Sequence, residues 1–445
     1  MIELSPEIVT IIMLAGVLFV VLIGYPLGIA VGALGLIVGT LLFGPSAAFE
    51  CYYSRAFQLL NNYVLLAVPL FVFMGTMLQR SGITEDLYDA LYVWLGSLRG
   101  GLAVTTVLIG TIMAAAVGII GASVTMLTLV ALPSMVKRGY DKSLACGSVC
   151  AGGCLGILIP PSVMLVLYGP TAGISVGKLF MAAFIPGLVL SGLYCSYIVF
   201  RSLLQPAKAP PVPVEERAAP FLKKTTKLLT ALFPPGILIL SVLGVIFMGV
   251  APPTEAASIG AVAATLLAVA YRKFSFETLK ATALATMKIS GMILFIGAMS
   301  YAFVGVFISA GGGDVITRLV LLAPGGRWGA FFVVMFLIFI LGFAIEWIGI
   351  IFIMVPILSP IIPALGFHPL WFAMMICVNL QMSFLTPPYA PAIFYLRGSL
   401  NPELGVTMGD IIRGVIPFVI LIMVGLGLCI AFPQLILWLP SKMIK

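Results

Sequence analysis

Apolar residues form long runs along this chain, and charged residues lie mainly between the runs. A transmembrane helix needs about 20 consecutive, mostly apolar residues, and many uncharged stretches reach that length. They predict roughly ten to fourteen membrane segments. The longest uncharged stretches are residues 8–49, 56–79, 100–136, 143–177, 179–200, 228–254, 289–313, 347–396 and 414–441.

Composition agrees with a protein that lies in a lipid bilayer. Of the 445 residues, 62% are hydrophobic and 9% are charged. The 23 Lys and Arg exceed the 15 Asp and Glu, but they are scattered between apolar runs, which favours a positive-inside topology over nucleic-acid binding. Glu3 and Glu7, and no basic region, precede the first apolar run. We therefore expect a retained helix there and not a signal peptide.

Cysteine and histidine give no indication of a cofactor. The seven cysteines lack CxxC spacing, and His368 is the single histidine. Since a zinc or iron site needs several such ligands, we expect no metal cofactor.

A polar, proline-rich segment at 201–227 separates two halves, 1–200 and 228–445. Its six Lys and Arg residues favour a cytoplasmic linker. Each half contains a Pro–Pro pair within an apolar run, at 160–161 and 387–388, and the pairs are 227 positions apart. The same offset aligns Pro133 with Pro360, Gly139-Tyr140 with Gly366-Phe367, and Tyr168 with Tyr395. Four matches without a gap indicate an internal repeat, which is typical of membrane transporters.

Charge predicts that the two repeats face opposite sides of the membrane. The turn at 136–143 contains Lys137, Arg138 and Lys142, whereas the equivalent turn at 363–370 has no Lys or Arg. Basic residues stay on the cytoplasmic side, so we expect an inverted repeat with a substrate site near the bilayer midplane.

The Pro–Pro pairs predict two broken helices. Proline has no backbone N–H, so the carbonyls of 156–157 and 383–384 lose their helical partners, and the residues before each proline leave the α region. Such backbone is tolerated in a bilayer only inside protein or along a water-filled cavity. Free carbonyls beside the hydroxyls of Ser162, Ser383 and Thr386 would suit sodium, and each following half-helix presents a positive end to an anion. A proline kink without a ligand is the alternative.

An interrupted apolar stretch precedes each turn. Residues 116–135 contain Gly118, Gly121 and Ser123, and residues 341–360 contain Gly342, Glu346 and Gly349. We interpret both as re-entrant hairpins whose tips meet the broken helices, with a single glycine-containing span as the alternative. Glu346 is the one carboxylate between 328 and 396. It is a candidate ion or proton site, or an acid exposed to water at the hairpin tip or paired with an arginine.

These motifs resemble the large membrane subunit, the DctM-like component, of tripartite ATP-independent periplasmic (TRAP) transporters. The resemblance rests on "GYDKSLACGSVCAGGCLGILIPPSVMLVLYG" (139–169), "VPILSPIIPALGFHPLWFAMMICVNLQMSFLTPPYAPAIFYLRG" (355–398), "LLAVPLFVFMGTMLQRSGIT" (65–84) and "PPTEAASIGAVAATLLA" (252–268). It covers nearly the whole chain.

The resemblance implies a fold, a location and partners. It implies an all-α polytopic protein of the bacterial inner membrane, an inverted-repeat elevator with two re-entrant hairpins and two discontinuous helices. Scaffold helices, one hairpin and one broken helix would belong to each half. It further implies sodium-coupled import of an organic acid or similar polar solute, a small four-helix membrane subunit, a periplasmic solute-binding protein and no enzymatic activity.

The resemblance also implies site residues. The first sodium site would use Gly121, Ser123, Gly156 and Pro160. The second would use Gly342, Gly349, Ser383 and Thr386. Substrate would lie near Ser123, Ser162, Asn379 and Thr386. Glu346 stands where many relatives have aspartate, which leaves its contact with ion or solute open.

Other classes fit the sequence less well. "GGGD" at 311–314, with Tyr88-Asp89 or Tyr140-Asp141, matches the GxGD pattern of intramembrane aspartyl proteases, but these acids border the apolar runs. No HExxH motif is present for a metalloprotease. A channel has no need of two inverted, closed sites. A stand-alone sodium/carboxylate symporter remains an alternative.

Overall fold

The computed structural model describes residues 3–213, 215 and 220–443, with only the backbone of 114–117. Every regular element among these residues is a helix. The helices are α1 (Pro6–Leu22), α2 (Leu27–Phe43), α3 (Pro45–Leu60), α4 (Ala67–Arg80), α5 (Ile83–Leu95), α6 (Gly101–Val117), α7 (Ile120–Lys137), α8 (Lys142–Cys154), α9 (Val163–Ala172), α10 (Val176–Leu204), α11 (Phe221–Ile239), α12 (Val245–Phe247), α13 (Pro253–Ala270), α14 (Phe276–Ser309), α15 (Gly312–Leu321), α16 (Gly326–Leu341), α17 (Trp347–Leu358), α18 (Ile361–Ala364), α19 (Pro369–Leu385), α20 (Pro391–Ser399), α21 (Met408–Ala431) and α22 (Gln434–Ser441).

The expectation of a polytopic membrane protein is confirmed. Seven helical stretches in the described part of the chain are long and apolar enough to cross a bilayer, and shorter apolar helices lie between them. The shorter ones include α6, α8, α9, α16, α17 and α19. Large apolar side chains on the outer faces of α1 and α11, such as Phe19 and Phe233, are 65% and 67% exposed. Lipid is the natural partner for such faces.

Both predicted helix breaks are present. The chain leaves the α-helix after Cys154 and resumes it at Val163, and it leaves again after Leu385 and resumes at Pro391. Both Pro–Pro bonds, at 160–161 and 387–388, are cis. The helices that lead into the breaks begin alike: the Asp141 side chain caps α8, and His368, its equivalent in the second repeat, caps α19.

The hairpins are present, but their predicted bounds were wrong. The first is formed by α6 and α7 with its tip at 118–119, and the second by α16 and α17 with its tip at 342–346. Residues 116–135 therefore cover a tip and one arm. Gly121 and Ser123 do not break the chain, because they lie inside α7, where small side chains permit close packing.

The internal repeat extends over almost the whole chain. An offset of 227 residues aligns the bounds of the helices as well as the motifs. The aligned pairs are α2 with α13, α5 with α15, α6 with α16, α7 with α17–α18, α8 with α19, α9 with α20, and α10 with α21. The long helix α14 corresponds to α3 and α4 together. Contacts between repeats are reciprocal: α2 packs against α14 and α13 against α4, while α7 packs against α20 and α17 against α9. Reciprocal contacts of this kind are produced by a two-fold relation between the repeats.

Both ends of the segment predicted as a linker are helical. Helix α10 continues to Leu204 and α11 begins at Phe221, so 201–204 and 221–227 are helical and not linker. Pro206 follows the end of α10, since proline cannot continue a preceding helix, and Pro220 is the N-cap residue of α11. Residues 208–212 are bound to the body by backbone hydrogen bonds with Gly96, Gly100 and Asp141, at 2.9, 3.1 and 2.8 Å.

Single cysteines in the two equivalent turns test the inverted orientation. Ser143→Cys and His368→Cys, each in a background without native cysteines, should react with a membrane-impermeant maleimide from opposite sides, because only the first turn carries basic residues. Labelling is measured in intact cells and in inside-out vesicles. Reaction of both cysteines from the same side would establish parallel repeats.

Candidate functional site

The first hairpin tip lies against the first broken helix. Gly118 has φ of +65°, a conformation that favours glycine. A Cβ at this position would lie 3.2 Å from the Pro161 carbonyl oxygen. Backbone of the tip therefore contacts backbone of the Pro–Pro segment, as the sequence predicted.

The second hairpin tip lies against the second broken helix. A Cβ at Gly342 would overlap the Oγ and Cβ of Ser383. The Ser383 hydroxyl donates to the Phe339 carbonyl at 3.4 Å. One turn before Ser383 in α19, the Asn379 side-chain amide donates to the Met335 carbonyl at 2.7 Å. These two bonds fix the face of α19 that holds the predicted site residues against α16.

The two breaks differ in their surroundings. Residues 155–162 are all buried, whereas Pro387, Pro388 and Tyr389 are exposed. In the first break, the Ser162 hydroxyl donates to the Ile157 carbonyl and also caps α9 by accepting from the Leu165 amide. In the second, the Thr386 hydroxyl donates to the Met382 carbonyl at 2.8 Å. The second break is thus the more accessible of the two.

A cavity of about 270 Å³ lies between the two hairpin tips, and we name it the inter-tip cavity. It is lined by residues 119–122 of the first tip, 346–348 of the second, the first residues of α9 and α20 (Val163 and Pro391), Tyr395, and one side of α14. Elements of both repeats therefore converge on one space. Such a space at a repeat interface is where transporters of this architecture hold their solute.

A second cavity of about 390 Å³ adjoins it, and we name it the α2 cavity. It is lined by residues 24–29 at the start of α2, by Ala344 and Tyr389, and by α14. Glu346 lines both cavities. It shares the α2 cavity with Tyr389 and the inter-tip cavity with Tyr395. No hydrogen bond from the Glu346 side chain caps α17, although Glu346 is the N-cap residue.

The predicted sodium ligands occupy different surroundings. Gly156 and Pro160 lie in the buried first break, and Gly342, Ser383 and Thr386 lie together where the second tip meets α19. Gly121 lies at the inter-tip cavity against the Tyr395 ring. Two residues lie elsewhere: Ser123 is buried where α7 packs on Gly153, and its hydroxyl finds no partner among the described residues, while Gly349 packs on Leu27 of α2.

The predicted substrate residues do not line the inter-tip cavity. Ser123, Ser162 and Asn379 are buried, and Thr386 is half-buried. Their role as substrate ligands stays a prediction. The structure instead brings Tyr389 and Tyr395 to the cavities, which the sequence reasoning missed. Two features of the sequence could have indicated these tyrosines. Tyr389 directly follows Pro388, and Tyr395 aligns with Tyr168 in the repeat.

A third cavity, of about 230 Å³, separates the two arms of the second hairpin. Residues of α1, α14 and α15 also line it, and every lining side chain is apolar or glycine. A space of this kind offers no ligand to a polar solute or an ion. We therefore exclude it from the candidate site.

Comparison with known proteins decides the family. A family model described as "Tripartite ATP-independent periplasmic transporter, DctM component" matches residues 14–435. The chain belongs to this family. It is similar to the C4-dicarboxylate TRAP transporter large permease protein DctM of Pseudomonas aeruginosa, with 32% identity over 90% of this chain and 91% of the relative. It is also similar to the ectoine TRAP transporter large permease protein TeaC of Halomonas elongata, with 27% identity over 97% and 98% of the two chains.

A solved structure shares the fold of this DctM-family chain. The YdaH transporter of Alcanivorax borkumensis superposes with a TM-score of 0.62 at 16% identity, over 97% of this chain and 100% of that one. The family resemblance stated from the motifs and the all-helical transporter fold are thus confirmed. The expected location, a multi-pass protein of the inner membrane, is confirmed as well.

The family is one of transporter permeases and not of enzymes. The geometry of the acids agrees with this. Asp314 and Asp89 are exposed, and Asp141 forms an ion pair with Arg201 at 3.5 Å. An aspartyl protease needs two acids that meet and share a proton, and these acids do not provide that arrangement.

Proposed function

We propose that this chain translocates a small organic acid or similar polar solute across the inner membrane in symport with sodium. The proposal rests on one observation above all. Two hairpin tips and two broken helices, at equivalent positions of the repeats, converge on the inter-tip cavity. An arrangement of this kind holds solute and ions near the midplane in secondary transporters.

Oxygen atoms around the breaks support sodium as the coupling ion. The carbonyls of 156–157 and 383–384 have proline at the position of their helical donor. In the second break, the hydroxyls of Ser383 and Thr386 act as donors to carbonyls, which leaves their lone pairs for a cation. A hard cation prefers such oxygen ligands. Sodium is transported here as a coupling ion and is not a resident cofactor.

Membership of the family supports a proposal for the partners and the movement. A component of a tripartite periplasmic transporter would receive its solute from a periplasmic binding protein and work beside a small membrane subunit. We infer an elevator-type movement in which the hairpins and broken helices carry the solute together. The relatives named for C4-dicarboxylate and for ectoine transport differ in their solute, so family membership alone does not assign one.

Replacement of sodium tests the coupling. In proteoliposomes that contain the chain and its small subunit, with binding protein outside, uptake of a labelled solute that the binding protein retains should fall at least about tenfold when choline replaces sodium at constant pH. Undiminished uptake that follows a proton gradient would contradict sodium coupling. Equal uptake without binding protein would favour a stand-alone symporter.

A further inference from the structure

Charge is distributed unevenly around the two cavities between the hairpin tips and α2. Among the described residues that line them, Glu346 is the one acidic side chain, and no lysine or arginine contributes. A carboxylate repels a second carboxylate, and the repulsion strengthens where protein replaces water. A solute with two negative charges and no positive charge would be repelled by Glu346 and would find no cationic side chain among the described lining residues.

Aromatic rings surround the acid. Glu346 lines the α2 cavity together with Tyr389 and the inter-tip cavity together with Tyr395, and the two tyrosines are 36% and 40% exposed. Trp347 follows Glu346 on the wall of the inter-tip cavity, and Tyr25 lines the α2 cavity. The faces of such rings attract ammonium and amidinium groups, and an adjacent carboxylate adds a charge-assisted contact.

The start of a helix also lines the inter-tip cavity. Helix α20 begins at Pro391, which lines the cavity, and its N-cap residue, Ala390, provides no side-chain cap. An uncapped helix start carries partial positive charge and accepts a carboxylate. The cavity thus has a negative, aromatic side at Glu346 and a weakly positive side at α20.

We propose that the solute is a small zwitterion, with its ammonium or amidinium group at Glu346 between Tyr389 and Tyr395 and its carboxylate towards the start of α20. This inference rests on the proposed function, because it assumes that the inter-tip cavity holds the solute. Glu346 is then a specificity-determining residue that selects against dianions. Its equivalent in the first repeat is Ile119, so the selection comes from one repeat only.

Thermal unfolding of the purified full-length chain in lipid nanodiscs tests the proposal with two matched probes. Succinate and 4-aminobutyrate have four carbons each and differ in that an aminomethyl group, which carries the ammonium, replaces one carboxylate; ectoine is a third probe with a delocalised cation. With sodium present, ectoine and 4-aminobutyrate should raise the unfolding temperature and succinate should not. Glu346→Gln should weaken zwitterion binding by about tenfold or more, and Tyr389→Leu by about two- to fivefold. Glu255→Gln, an exposed acid at the start of α13, is the control and should bind as the wild type.

Each other outcome overturns the proposal. Stabilisation by succinate, by none of the probes, or by zwitterions in Glu346→Gln as strongly as in the wild type would show that Glu346 does not select a cationic group. If Glu346→Gln changes only the sodium concentration needed for stabilisation, and not the binding of the zwitterions, Glu346 acts as a sodium ligand. The proteoliposome assay distinguishes this proposal from the proposed function. Sodium-driven uptake of succinate would support the proposed transport function and exclude a zwitterion as the solute, whereas uptake independent of sodium would contradict the proposed function itself.

Discussion

Sodium-driven uptake should fall by about 100-fold when Gly342 is replaced by alanine. The added Cβ overlaps the side chain of Ser383, so the second hairpin tip must move away from α19. Overpacking of this kind costs about 1–3 kcal/mol, and the displaced contact lies where the sodium ligands are proposed. Uptake is measured in proteoliposomes across a range of sodium concentrations, together with thermal unfolding.

Gly427→Ala is the matched control, since a Cβ at this position in α21 has no atom within 4 Å. A second variant separates packing from ligation. Ser383→Gly in the Gly342→Ala background restores space, so uptake should recover if the loss is steric, and remain low if the Ser383 hydroxyl binds sodium. Wild-type uptake by Gly342→Ala itself would show that the contact between tip and broken helix is not needed for transport.

Replacement of Pro387 and Pro388 by alanine should abolish sodium-driven uptake while the protein remains folded. The new amides can pair with the carbonyls of 383–384, at about 1 kcal/mol for each bond, and close them to a cation. The pair is exposed, so little packing is lost. Pro160 and Pro161 are buried, and we expect their replacement to lower the unfolding temperature as well.

Another Pro–Pro pair, at 234–235, provides the control for this experiment. Pro234 and Pro235 lie inside α11, which continues through them as a helix, so their replacement by alanine should leave sodium dependence unchanged. Uptake and unfolding temperature are measured for each double variant. Normal sodium dependence after replacement of Pro387 and Pro388 would show that the break is structural, and the sodium role of Ser383 and Thr386 would have to be withdrawn.

The pair at 234–235 also shows what limits prediction from the sequence. Two Pro–Pro pairs were predicted correctly to break their helices, yet a pair of the same chemistry is accommodated in α11, which is followed by a π-helical turn at Leu240–Gly244. The difference lies in tertiary contacts. A hairpin tip lies against each broken helix, through Gly118 at Pro161 and Gly342 at Ser383, and such contacts join segments distant in the chain.

Small residues caused the errors in the hairpin bounds. Gly121 and Ser123 were interpreted as interruptions, but a glycine that allows a neighbour to approach closely has the same sequence as one that allows a turn. In the structure, Gly121 lies against the Tyr395 ring, and only Gly118 of this group takes the conformation with positive φ. The repeat offset and the turn at Gly139 were predictable because they depend on local chemistry and on internal comparison.

The candidate site was only partly predictable for a related reason. Glu346 is evident from the sequence because a carboxylate in an apolar run is unusual. Tyr389 and Tyr395 are not, since tyrosine is common in membrane proteins and their role depends on a cavity assembled from α7, α14, α17 and α20. Uncharged residues of such a cavity become visible only when the packing is known.

Interleaving of the two repeats determines how the protein can be assembled during synthesis. The face of α2 is covered by α14, and that of α4 by α13, so the helices of the first half emerge from the ribosome before the surfaces that cover them exist. Membrane insertion of α1–α10 therefore precedes their packing against the second half, because chains are delivered N-terminus first. Ribosome-bound chains that end before α13 should be inserted but still accessible to proteases and chaperones, and native structure should form only after α14 has entered the bilayer.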